Sequence, residues 1–122
     1  MTIALWIVNI LLALAFLAAG AMKAARPKEA LAANGMAWTE DFSSPSIKLI
    51  GIAEVIGAVG LIVPLLTGIA PILTPIAAVC LAIIMIGATA THARRKESVA
   101  PGLVLAVLSI ASAVLGFLVV LG

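Results

Sequence analysis

Charge is what this sequence has least of. Five acidic and seven basic side chains are spread over 122 residues. A water-soluble domain carries about a quarter of its residues as charges. Here the share is 10%, too little to coat a surface that faces water, so the surface must face lipid. The net charge is only +2, and no run of like charge is long enough for a nucleic-acid interface, which removes nucleic acid as a partner. Aromatic residues are scarce too: three Phe, two Trp and no Tyr. That is thin material for a cage around a cationic ligand. The single cysteine, Cys80, lies inside an apolar run. It cannot form an intramolecular disulfide, which argues against thiol–disulfide chemistry within this chain, and it reads as a small apolar filler. No ligand set for haem, flavin or an iron–sulfur cluster is visible, so no covalent or metal cofactor is expected.

What the sequence has instead is apolar length. Hydrophobic residues make up 65% of it. A bilayer core about 30 Å thick needs about 20 apolar residues of helix. Four segments qualify: residues 3–22, 47–65, 72–91 and 102–121. Their apolar character is continuous and not alternating, which excludes a strand barrel. The expected fold is all-α, a single transmembrane four-helix bundle. The first segment has no basic stretch before it, and Lys23 follows it, so it reads as a retained helix and not a signal peptide. Ser44-Pro45 offers a cap and a first-turn proline for the second span, Thr67-Gly68 and Pro71 make a tight hairpin, and Pro101 opens the fourth span.

Basic residues alternate between the loops. Lys23, Arg26 and Lys28 lie in the first, with Lys48 at the next helix start. The second, Leu66 to Pro71, has no charge, and the third is His92-Ala93-Arg94-Arg95-Lys96-Glu97. Basic loops stay in the cytoplasm. The expectation is therefore a multi-pass protein of the cell (inner) membrane, with both termini on the outer side. Within the first loop, Pro27 to Asn34 reads as a short interfacial helix ended by Gly35. Met36, Trp38 and Phe42 follow, interleaved with Glu40 and Asp41. The simpler reading of that mixture is anchoring at headgroup depth; the functional one is a lid over a cavity between the helices.

Glu54 is the residue that composition does not explain. It lies about seven residues into the second span, roughly 10 Å deep. Intramembrane acids face the bundle, find partners and are functional-site candidates by default. Candidate neighbours can be sought by face and depth. Phe16, Gly20 and Lys23 form one stripe on the first helix; Met85, Thr89 and His92 form one on the third. Ser109 on the fourth helix lies about as deep as Glu54, and Lys23 can bend inward along its stem. These residues define one candidate ligand-binding cluster in the cytoplasmic half: Glu54, Lys23, His92, Ser109, Met85, Thr89 and Phe16. The bland alternative is a structural ion pair at Glu54, a snorkelling Lys23 and a loop-bound His92. Gly51, Ala53, Gly57 and Gly60 read as helix-packing positions, and Asn9 as an interhelical hydrogen bond.

Three segments resemble the DoxX-like family of small membrane proteins. Phe16-Leu17-Ala18-Ala19-Gly20-Ala21-Met22-Lys23 is similar to its first-helix signature. The run from Ile50 through Glu54, Gly57 and Gly60 to Pro64 is similar to its second. Pro75-Ile76-Ala77-Ala78, Met85-Ile86-Gly87-Ala88 and His92 resemble its third. The resemblance implies a four-helix membrane fold and carries Lys23, Glu54 and His92 over as site candidates, without catalytic roles. Some members are similar to a small subunit of a thiosulfate:quinone oxidoreductase, some are associated with oxidative-stress complexes, and distant animal relatives act as assembly chaperones.

Three functions fit. The first is a redox-accessory subunit that holds a quinone or another small lipophile near Glu54, with electrons passing through a partner subunit. The second is an assembly or interaction factor that docks a membrane-protein partner or a second copy as a homo-oligomer. The third is a small proton-coupled transporter; multidrug transporters of similar size resemble it, but they carry their acid in the first helix. Glu54→Gln separates them: it abolishes ligand binding or proton coupling in the first and third, and leaves partner capture intact in the second.

Overall fold

A computed structural model describes residues 1–33 and 35–122. Its helices are α1 (Thr2–Ala25), α2 (Lys28–Ala33), α3 (Ser44–Thr67), α4 (Leu73–Arg94) and α5 (Ala100–Leu121), with a 3-10 turn at Ala37–Asp41. Among the described residues, four helices are long and apolar enough to cross a bilayer. α1 and α3 run past their expected spans at both ends, α4 only at its end and α5 only at its start; α1 and α3 have 24 residues, or about 36 Å, so their ends reach headgroup depth. The short helix expected over Pro27 to Asn34 is α2; its last expected residue, Asn34, lies outside the described residues.

The four long helices form a ring in the order α1, α3, α4, α5, with little contact across the diagonals. The pattern of a soluble bundle is inverted. Ile3, Ile7, Leu14, Ile56, Ile83 and Val107 are exposed, while Asn9, Glu54, Thr74, Ser109 and Ser112 are fully buried. Lipid is as apolar as leucine, so association relies on close packing and hydrogen bonds. Close packing comes from the glycines. A methyl at Gly20 would lie 2.6 Å from the Gly51 carbonyl oxygen, and one at Gly51 would lie 2.7 Å from the Gly20 carbonyl. Gly57 and Gly60 serve the α3–α4 seam against Leu81 and Ala77. Ala53, expected among these packing positions, is exposed on the lipid face instead.

Pro64 organises the uncharged end. It sits inside α3 with no N–H to offer, so the Gly60 carbonyl four residues back loses its helical donor. The Thr74 hydroxyl of α4 donates to that carbonyl at 2.9 Å. One residue on, the Asn9 amide of α1 donates to the Leu61 carbonyl at 2.9 Å, and the Ser112 hydroxyl of α5 donates to the Asn9 side-chain oxygen. The expected interhelical role of Asn9 is thus a junction of three helices. At the other end of α3 the cap is Ser43, not Ser44: the Ser46 amide donates to the Ser43 hydroxyl at 3.3 Å. Pro45 falls in the first turn, where its missing N–H costs nothing.

Candidate functional site

The polar cluster lies at the end of the bundle that carries the basic loops. α3 begins at Ser44, so Glu54 is ten residues, about 15 Å, along it. Side chains on a helix lean toward its N-terminus. On α1 that direction points from Lys23 into the bundle; on antiparallel α3 it points from Glu54 toward the basic end. The two side chains therefore lean together, and Lys23 Nζ donates to Glu54 Oε1 at 2.5 Å. Glu54 is fully buried and Lys23 is 7% exposed. Both sit beside the Gly20–Gly51 contact, where the closeness of two backbones brings α1 and α3 within reach of this pair. The second carboxylate oxygen, Glu54 Oε2, is buried and has no hydrogen-bond partner among the described residues.

The buried pair borders open space. It lines a cavity of about 420 Å³. Phe16, Ile50, Ile84, Met85 and Leu105 give it apolar walls. The α3–α4 seam is closed at the hairpin end by Gly57 on Leu81 and Gly60 on Ala77. Toward the basic end the stripe Ile83, Gly87 and Thr91, at steps of four along α4, lines the cavity instead. Ile83 is exposed, and a methyl at Gly87 would meet nothing within 4 Å. The cavity therefore reaches the lipid face between α3 and α4.

The first loop covers its head. Trp38 and Phe42 are part of the cavity wall, packed edge to face at 5.6 Å. The Trp38 ring lies 5.3 Å from Lys23 Nζ, a cation–π distance, and 6.5 Å from the His92 ring. Fully buried Thr39 ties the turn to itself through the Met36 carbonyl at 2.7 Å. Both rings of this aromatic segment thus lie on the cavity wall, where a lid would sit.

An ionic latch holds the lid to the end of α4. Arg95 reaches Asp41 at 2.9 Å and Glu97 at 3.3 Å, and Glu97 meets His92 Nδ1 at 2.9 Å. The hydrogen bond from His92 holds the Glu97 carboxyl below the ordinary carboxylate range, against a smaller opposing effect of desolvation, and Arg95 adds to it. Its hydrogen bond to Asp41 raises the Arg95 guanidinium further above an already high value.

Of the sequence candidates, Glu54, Lys23, His92, Met85 and Phe16 come together on this cavity. Thr89 lies elsewhere: its hydroxyl donates to the Met85 carbonyl at 2.8 Å, and Gly102 of α5 packs against it. Ser109 is buried in the bundle with its hydroxyl unpartnered among the described residues, and it is not part of the cavity wall. Thr91 lines the cavity where Thr89 does not; the step-of-four stripe from Ile83 was the available signal. The Asp41–Arg95 latch had no sequence signal, because it joins two loops 54 residues apart. Cys80 is exposed on the lipid side of α4. Among the described residues no three His, Cys, Asp or Glu side chains gather as a metal site would require.

The three segments that bring Lys23, Glu54 and His92 to this cavity are those in which the family resemblance resides. The sequence model of the DoxX-like family matches residues 7–114. The chain belongs to the DoxX-like family. No curated protein and no solved structure matches it. The matched region of this DoxX-like protein spans most of α1, the lidded loop, α3, α4 and most of α5, so every cavity residue named above lies within it.

Proposed function

We propose that this DoxX-like membrane protein binds a small lipophile of quinone type in the basic-end cavity and serves as a redox-accessory subunit. The observation that carries the reading is a buried ion pair that lines a cavity open to lipid. The pair is buried, yet both of its residues belong to the wall of a space whose other walls are largely apolar. A volume of about 420 Å³ lies in the usual range for ligand sites, and such sites combine apolar walls with a few placed polar groups. The opening between α3 and α4 suits a ligand delivered by the bilayer. Lys23, Glu54, Trp38 and His92 would hold the polar head, and the chain would extend toward Ile83 and lipid. Electrons would come from and return to a partner subunit.

We further propose that the lidded end is cytoplasmic, in the cell (inner) membrane, because the lysines and arginines of the first and third loops gather there. The test of the binding reading is extraction of lipophiles from protein purified in mild detergent, followed by mass spectrometry. A quinone or related lipophile near one per chain, lost from the double variant K23M/E54L, is the expected result. Protein that carries no lipophile, and retains none after incubation with quinones or quinols, overturns the reading. If partner capture from membranes persists unchanged in that variant while no ligand is found, the assembly role takes its place.

A further inference from the structure

We infer that the cavity selects a lipophile whose head carries a hydroxyl donor, so that it holds a quinol or alkylphenol in preference to the matching quinone or ether. This deepens the lipophile-site reading and rests on it. Among the described residues only one of the two Glu54 carboxylate oxygens has a partner: Oε1 accepts from Lys23, and Oε2 is fully buried without a donor. A carboxylate has lone-pair sites on both oxygens, and a buried acceptor left unmet is expensive. Among the cavity-lining residues of α1, α3 and α4, Phe16, Ile50, Ile84 and Met85 have no side-chain donor to give; Thr91 donates to the Gly87 carbonyl and His92 meets Glu97. Trp38 turns toward the Lys23 ammonium at a cation–π distance. The missing donor must come from what occupies the space.

The chemistry of the head group then follows. A quinone head presents carbonyl oxygens, which are acceptors and would face Oε2 lone pair to lone pair. A quinol or phenol hydroxyl donates to Oε2. Its own oxygen can in turn accept from Lys23, whose ammonium has three N–H groups and gives one to Oε1. A hydroxyl is matched at both members of the pair; a carbonyl or ether is matched at Lys23 alone. A hydrogen bond to a charged acceptor corresponds to a preference between about tenfold and a hundredfold.

The test uses two redox-inert probes that differ only in the donor, 4-decylphenol and its methyl ether 4-decylanisole. Nanodiscs with and without the protein are equilibrated with both at equal low mole fraction in lipid. Ligand retained above empty discs is counted per protein by mass spectrometry. The phenol should exceed the anisole by at least about tenfold. Equal retention overturns the donor inference and leaves the lipophile site standing. Retention of neither overturns both. In Glu54→Gln, where the amide oxygen is no longer charged, the preference should fall to within about threefold. A full preference in that variant overturns the assignment to Glu54. If Glu54→Gln does not accumulate, K23M/E54L serves in its place, and there the preference should vanish; its persistence again overturns the assignment.

Discussion

Removing either half of the Lys23–Glu54 pair should damage the fold unequally, and removing both should restore it. The asymmetry comes from position. Glu54 is fully buried about 15 Å along α3, so Lys23→Met strands a carboxylate that has nowhere to go. Breaking a buried pair in this way costs about 3–5 kcal/mol. Lys23 is two residues from the end of α1 and already 7% exposed, so in Glu54→Leu its ammonium can swing along its stem to the headgroups. That relief should hold the loss to about 1–2 kcal/mol, nearer the cost of a lost hydrogen bond than of a stranded charge. The double variant K23M/E54L replaces the pair with apolar side chains of similar size, a change that is often neutral or stabilising. It should fall within about 1 kcal/mol of the parent. Unfolding by dodecyl sulfate in mixed micelles, followed by helical circular dichroism, gives all four stabilities. Equal losses from the two single changes would refute the reasoning about depth. A double variant as poor as Lys23→Met would refute the claim that the charges are retained for something other than stability.

Other outcomes follow from the packing and the lid. Gly20→Ala sets a methyl against the Gly51 backbone carbonyl and should destabilise by about 1–3 kcal/mol in the same micelles, whereas Gly87→Ala, which meets open space, should be close to neutral. Arg95→Ala removes the contact between α4 and Asp41 and should free the lid. In a Trp6→Phe background Trp38 is the sole tryptophan, and its emission should shift to the red. The same signal should follow pH in a stated direction. A lowered carboxyl contributes its stabilisation above the unfolded value and loses it as pH falls through the folded one. For Glu97 both lie in the acid range, so its contribution to the latch should hold from neutral pH through about 5 and fail only below the ordinary carboxylate range. A C-terminal alkaline phosphatase fusion should be active and a C-terminal fluorescent-protein fusion dark in a Gram-negative host; the reverse would contradict the orientation.

The membrane bundle was legible in the sequence because it follows from composition and from run lengths that match a bilayer. The pairing of Lys23 with Glu54 was legible in part, since an intramembrane acid turns toward the bundle and a stripe at helical spacing places Lys23 with Phe16 and Gly20. Two things were not. Thr89 and Ser109 lie at suitable depths, but depth does not fix which seam a side chain enters. Thr89 turns to Gly102 because a glycine there admits it, while Thr91, two positions on, lines the cavity. The lid was ambiguous because an aromatic residue at headgroup depth looks the same whether it faces lipid or the bundle. What separates them is the position of Trp38 and Phe42 on the cavity wall, which has no periodic signal. Pro64 is similar: the sequence shows a proline within the second span, but only the fold shows Thr74 meeting the carbonyl it leaves free.

The central claim is that the space beneath Trp38 is a ligand site. Trp6→Phe protein in nanodiscs, titrated with a short-chain quinone or its quinol, tests it most directly, because Trp38 lines the cavity and reports its occupancy. Trp38 emission should change, saturate at one ligand per chain, and cease to respond when Ala88→Trp fills the cavity, read with that tryptophan's own signal subtracted. Emission that changes only in proportion to ligand in the lipid, with no saturation and no effect of filling the cavity, would contradict it.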